Sequence, residues 1–338
     1  MSILEQIKEL RDWFPIPTWR GGFNLIRWIL LDGNRMAVSG AILTAVYVVI
    51  LTTGIVWTFE MQRILTETST VENILETFMS GIILLVSIVV SINSIVLSQD
   101  ITSIQSQEDR TRSAWEFRAK IGEMTETGES PSDPRAFLEL MASVITDRAQ
   151  TLGDHAKEIE GEFADEIVDY TESVSGSIEH LAATDEGEYG DFAALWAALE
   201  VDYGRFLDRS RALRSSYQEE IPDPCDEEWD RLVEAIQIFA IGREYFKTLY
   251  YNQQISVLSR NLLAVSLPAI LFTATAILAI NASLLPDFWL FGVPPLQMFV
   301  AIVVTVALVP YVVLTSYMLR ISTVALRTAT GGPFSLNE

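Results

Sequence analysis

The chain has 338 residues, 49% of them hydrophobic and 20% charged, with a formal net charge of −22. Its mean hydropathy of +0.27 is high for a water-soluble protein. The acidic balance argues against nucleic-acid or anionic-lipid-headgroup partners, which need a basic face; the lone Cys225 excludes an intramolecular disulfide and a Cys-based metal site.

Residues 1–35 carry Trp13, Phe14, Trp19, Phe23 and Trp28 among Arg11, Arg20, Arg27 and Arg35. Aromatic and Arg side chains together suit a membrane–water interface. One or two short amphipathic helices are expected there, ending at the break Asp32-Gly33-Asn34. The region lacks a compact apolar core followed by a small-residue cleavage site, so no cleavable signal peptide is expected.

Four apolar stretches follow, at 36–58, 75–98, 262–285 and 296–318. Each reaches the length of about 20 residues that a bilayer crossing needs. None carries Asp, Glu, Lys, Arg or His at its centre. In the first stretch Gly40–Thr44 and Ala41–Ala45 lie four apart, a spacing that favours close helix contact. The second opens on a capping box, Ser69 with Glu72, which predicts a helix start near Thr70. No breaker occurs before Thr127-Gly128, so a single helix of about 55 residues, about 80 Å long, is expected.

Asp133-Pro134 is an N-cap followed by a first-turn Pro. One helical pattern runs from there to Ala183, then a turn at 185–190, then a helix over 191–220. Pro222-Asp223-Pro224 breaks it. The next helix is expected to start near Asp226 and to continue into the third stretch, with kinks at Pro268 and Pro310. Thr273, Thr275, Asn281 and Ser283 in that stretch suit interhelical hydrogen bonds.

Basic residues set the orientation. The loop at 59–74 has only Arg63 against Glu60, Glu67 and Glu72, and the loop at 286–295 has no Lys or Arg. Both termini and the middle region are therefore expected to be cytoplasmic, in a multi-pass cell-membrane protein. Region 99–258 holds 35 acidic and 14 basic residues, a net of −21, and the whole chain has four Lys against 19 Arg. Such an acidic, Lys-poor surface fits a high-salt cytoplasm of the halophile kind. The expected fold is an all-α integral membrane protein with four transmembrane helices in two hairpins. Its parts are an interfacial segment 1–35, hairpin 36–98, an acidic all-helical cytoplasmic domain 99–258, hairpin 259–319 and a cytoplasmic tail 320–338.

The second apolar stretch carries the strongest functional pattern. Thr77, Ser80, Ser87, Ser91, Ser94, Ser98 and Gln105 fall at alternating steps of three and four, interrupted by Leu84 and Ile101. That spacing keeps side chains on one seam of a helix. Hydroxyls there serve tight packing against a neighbouring helix. They serve equally as stacked rings around a pore if copies surround an axis. Leu84 would then be the large apolar ring, a candidate dewetting gate. Glu72 and Glu76 flank the seam at its outer end; Asp100, Glu108 and Asp109 flank it at its inner end. Carboxylate rings at those mouths favour inorganic cations.

Catalytic signatures are absent. There is no P-loop, no G-x-S-x-G and no zinc cluster, and His155 and His180 are 25 residues apart on one expected helix. The acidic run Glu158–Glu166 lacks the spacing of an EF-hand loop and reads as a solvated helix face. No catalytic residue, metal or cofactor is expected. Spans without ionisable residues also disfavour a proton-coupled transporter. Two readings remain: a homo-oligomeric, cation-preferring ion channel surrounded by membrane lipid, or a non-conducting membrane scaffold or sensor whose acidic helices bind partners.

Overall fold

A computed structural model describes residues 28–57, 65, 69–100, 103–125, 128, 130–159, 161–182, 198–199, 201–218, 221–282, 284 and 294–328. The expectations for residues 1–27, the loop residues Glu60, Arg63 and Glu67, the turn at 185–190, Ser283 and the end of the tail lie outside these residues. Among the described residues all regular structure is helical, in the order α1 (Arg35–Val56), α2 (Thr70–Asp100), α3 (Ile104–Met124), α4 (Pro134–Lys157), α5 (Glu162–Ala182), α6 (Tyr203–Ser216), α7 (Asp223–Asn281) and α8 (Pro295–Thr328). The chain forms two compact units: 1–92 with 257–323, and 93–256 with 324–338.

The first unit contains α1, most of α2, the second half of α7 and most of α8. Each of these four helices is long and apolar enough to cross a membrane. Two apolar clusters hold three of them together. One joins Leu85 and Val89 of α2 to Leu258 and Leu262 of α7 and to Val313 and Tyr317 of α8. The other joins Val71 and Leu75 to Ala276 and to Val300 and Val303. Polar contacts tie α1 to α8. The Ser39 and Ser316 hydroxyls share a hydrogen bond of 2.8 Å. The buried Arg35 guanidinium donates to the Ser316 carbonyl at 3.3 Å and to the Gly33 carbonyl at 2.6 Å. At the other end of α1 the Gln297 amide donates to the Leu51 carbonyl at 3.3 Å. It lies so close over Gly54 that a Cβ there would overlap it.

α1 starts where the sequence places its break. A π-helical turn, Trp28–Asp32, closes with the Gly33 N–H bonded to the Trp28 carbonyl at 2.8 Å, and Asn34 caps α1. The packing face of α1 differs from expectation. Gly40, Ala41, Thr44 and Ala45 are exposed, whereas Arg35, Val38, Ser39 and Gly54 are buried. Small side chains cost as little facing outward as inward, so their spacing alone does not choose the face; the hydrogen bonds to Ser316 and Gln297 do.

The second unit is built around α4 and α5. Phe137, Leu138, Met141, Ile145 and Leu152 of α4 and Phe163, Ile167, Tyr170, Val174 and Ile178 of α5 form its buried apolar surface. Trp229 of α7 stacks on Tyr170 at 6.1 Å between ring centroids and donates through Nε1 to the Ser210 hydroxyl of α6 at 2.7 Å. Arg243 of α7, fully buried, donates to the Val201 carbonyl at 2.7 Å and lies 4.4 Å over the Tyr203 ring. These bonds anchor the chain entering α6 to α7.

Four helix boundaries correct the sequence reading, one of them in the expected helix over 191–220, where Val201 and Asp202 are not helical and the helix runs from Tyr203 to Ser216. The expected helix of about 55 residues ends at Asp100, and a new helix begins at Ile104. Ser103 caps it in extended conformation, accepting from the Ser106 N–H at 3.3 Å; the short hydroxyl competes for backbone donors and ends a helix that no Pro or Gly interrupts. The expected single helix from Pro134 to Ala183 is two, because Gly161 takes φ +132°, a conformation glycine alone adopts without strain. His155 and His180 therefore sit on different helices. The acidic run at 158–166 straddles this loop rather than lining one helix. Finally, α7 starts at Asp223, ahead of Asp226, because Pro224 fits the first turn, where no intrahelical N–H is needed. It then runs to Asn281 with Pro268 inside it, continuing into the third apolar stretch as expected.

Candidate functional site: the outward seam of α2

The helical phase of α2 is fixed by its buried residues. Val71, Leu75, Ile82, Leu85 and Val89 face the unit's interior. Tyr311 of α8 reinforces this phase: its hydroxyl donates to the Phe78 carbonyl at 3.1 Å and lies directly over Gly81. The seam residues consequently point away. Thr77, Ser80, Leu84, Ser87 and Ser91 are exposed, Leu84 at 63%. Ser94 and Ser98, on the last turns of the helix, are exposed as well.

Seam hydroxyls bond within their own helix. Thr77 donates to the Asn73 carbonyl at 2.7 Å, Ser87 to Ile83 at 2.9 Å, Ser91 to Ser87 at 2.9 Å and Ser98 to Ile95 at 2.7 Å. Such i−4 or i−3 bonds satisfy the hydroxyl proton while leaving oxygen lone pairs facing outward. Within one protomer the packed face of α2 is the opposite, apolar one, with Leu75, Ile82, Leu85 and Val89 buried on it.

The carboxylates distribute unevenly. Glu72 is half-buried and Glu76 exposed, both on the first turns of α2. Asp100 is the last residue of α2. Glu108 and Asp109 stand on α3, beyond the Ser103 cap, and so are not on the seam's helix. Glu108 is also engaged by Arg112 at 3.0 Å, an exposed pair worth about 0.3–0.5 kcal/mol. The inner mouth expected from one continuous helix is therefore not assembled on α2 itself.

Sequence reasoning passed over the polar groups that do pack the span-length helices. These are Arg35, Ser39 with Ser316, Gln297 over Gly54, Asn261 donating to the Tyr317 hydroxyl at 2.8 Å, and Tyr311. Their one visible signal was placement: Arg35 and Gln297 each stand at the first turn of an otherwise apolar helix. Among the described residues, no group of three or more His, Cys, Asp or Glu side chains is arranged to hold a metal ion.

The fold thus defines a class: among the described residues, all-helical regular structure with four helices of membrane-crossing length and composition. The chain belongs to DUF7972, a family of unknown function, whose model matches residues 20–338. No curated protein and no solved structure matches it.

Proposed function

We propose that this protein is a homo-oligomeric membrane channel, cation-preferring, in which the hydroxyl seam of α2 faces the corresponding seams of neighbouring copies. The observation that carries the reading is the phase of α2. Thr77, Ser80, Ser87 and Ser91 are exposed on the face opposite Leu75, Ile82, Leu85 and Val89. In a pore, stacked hydroxyl oxygens replace part of an ion's hydration, and Leu84 forms the one bulky apolar ring among them. Glu72 and Glu76 at the start of α2 supply the negative charge that favours cations. The Arg distribution supports a cell-membrane location with both termini and region 99–258 in the cytoplasm.

One observation favours the runner-up, a non-conducting scaffold or sensor. Hydroxyls already bonded to their own carbonyls rest against another helix or lipid without a further partner. Flux separates the two. Purified protein in liposomes, loaded with potassium or sodium, is expected to leak cations, and Leu84→Ser is expected to raise the rate by removing the apolar ring. If wild type and Leu84→Ser are both inert, the channel reading fails and the scaffold stands.

A further inference from the structure

α3 stands largely free of the unit it belongs to. Its C-terminal turns are anchored: Ile121 is 1% exposed, and the Phe117 ring meets Phe137 of α4 at 6.0 Å between centroids. The rest is not. From Ile104 to Glu116 every residue except the half-buried Ser106 is exposed, Ile104 at 85% and Trp115 at 65%. A mostly polar run of this length gains little from its own hydrogen bonds in water, so its surface calls for a partner. Its charges are laid out in order. Glu108, Arg112, Glu116 and Lys120 stand four apart, all exposed, and alternate in sign along one outward stripe. The first two pair within the helix at 3.0 Å. Among the described residues Glu116 and Lys120 have no ion-pair partner.

Charge selects the partner. α3 carries four acidic residues (Glu108, Asp109, Glu116, Glu123) and four basic ones (Arg110, Arg112, Arg118, Lys120), a net of zero, inside region 99–258 with its net of −21. A basic partner would be drawn to the acidic remainder of that region rather than to its neutral helix. A lipid surface needs an apolar face, and the outward stripe is charged throughout. A second copy is repelled by the acidic surfaces and meets least repulsion here. Set antiparallel about a twofold axis at Ala114, two stripes place Glu108 opposite Lys120 and Arg112 opposite Glu116, each twice, so all four contacts are of opposite sign. A parallel pair in register would set each charge against its own kind. We infer that α3 pairs antiparallel with α3 of a second copy through this stripe. Ile104 and Trp115, within about 20° of each other on the helix, add apolar contact along its edge. The inference rests on the homo-oligomeric part of the proposal above and assigns it a contact outside the span-length helices.

Carbodiimide coupling of the full chain in detergent tests it, because the reagent joins a Lys amine to a carboxylate with no spacer. Glu108 and Lys120 lie about 18 Å apart along one helix, so an amide between them forms only between copies. The expected product is a covalent dimer whose peptide map contains the Glu108–Lys120 link. The double variants Glu108→Lys/Glu116→Lys and Arg112→Glu/Lys120→Glu each give the stripe a single sign. Expressed alone, each should lower the dimer yield several-fold; co-expressed, they should restore it. A wild-type map without the Glu108–Lys120 link, or either variant dimerising alone as well as wild type does, overturns the pairing. Cation flux of the same protein in liposomes reads the seam separately: flux retained while the link is absent rejects the α3 pairing and leaves the channel reading standing.

Discussion

Gly81→Ala tests the packing that turns the seam outward. A Cβ at this position would overlap the Tyr311 hydroxyl, which donates to the Phe78 carbonyl at 3.1 Å. In an unobstructed helix Gly→Ala gains about 1 kcal/mol. Here the displaced ring costs about 1–3 kcal/mol, and the broken hydrogen bond about 1 kcal/mol more. The expected net loss is about 1–3 kcal/mol. Tyr311→Phe alone loses only the bond, about 1 kcal/mol. The double variant keeps the helix gain, removes the overlapping oxygen and loses the bond, so it ends near wild type. Tyr311→Phe should therefore rescue Gly81→Ala, with a coupling of about 2 kcal/mol or more in the favourable sense. Denaturation by SDS titration in mixed micelles, read by circular dichroism, measures all four corners of the cycle. If Gly81→Ala stabilises by the bare helix amount, or if the two effects add, Gly81 does not face α8. The assigned phase of α2 would then be wrong, and the seam with it.

Two further predictions concern the second unit. Burial pushes the Tyr170 phenol from 10.0 up to about 12. The unfolded chain releases this proton near pH 10 while the folded chain holds it, so stability falls as pH rises from 10 towards 12. The total loss is about 2–3 kcal/mol. Tyr170→Phe keeps the ring on Trp229 and should flatten this alkaline decline; an unchanged decline in denaturation midpoints would refute the burial account. Arg243→Met should destabilise the fold by about 1–3 kcal/mol, because the buried Val201 carbonyl loses its charged donor and keeps only the Tyr203 N–H at 3.1 Å. Amide exchange around Val201–Tyr203 should quicken. Exchange unchanged there would show that Arg243 does not anchor this segment.

The four long apolar helices were legible because length and hydropathy decide them, whatever their neighbours. The starts at Thr70 and Pro134 were legible for a local reason: a Ser or Asp cap with a matching third or first residue. The breaks at Ser103 and Gly161 were not. A serine inside an unbroken helical pattern reads equally as a solvent-facing residue or as a cap, and a single glycine reads as tolerated. Which choice wins depends on the tertiary surroundings. The seam of α2 was visible as a spacing, but its direction was not, since apolar residues surround it on every other face. Tyr311 and the clusters around Leu75 and Leu85 fix that direction, and they act from sequence positions 169 or more residues away. The α1 interface escaped for the complementary reason. Its contacts are an arginine, a serine pair and a glutamine over glycine, none of which forms a periodic pattern.

The central claim, that the outward seam of α2 lines water rather than lipid, is tested most directly by thiol accessibility. Ser87→Cys and Ser91→Cys are introduced singly into a chain whose native Cys225 is replaced by Ala, and each protein is reconstituted in liposomes. The account predicts that a charged, membrane-impermeant methanethiosulfonate reagent modifies both thiols and that cation flux falls as it does so. Thiols that react only with lipid-soluble maleimides, with flux untouched by the charged reagent, would contradict it.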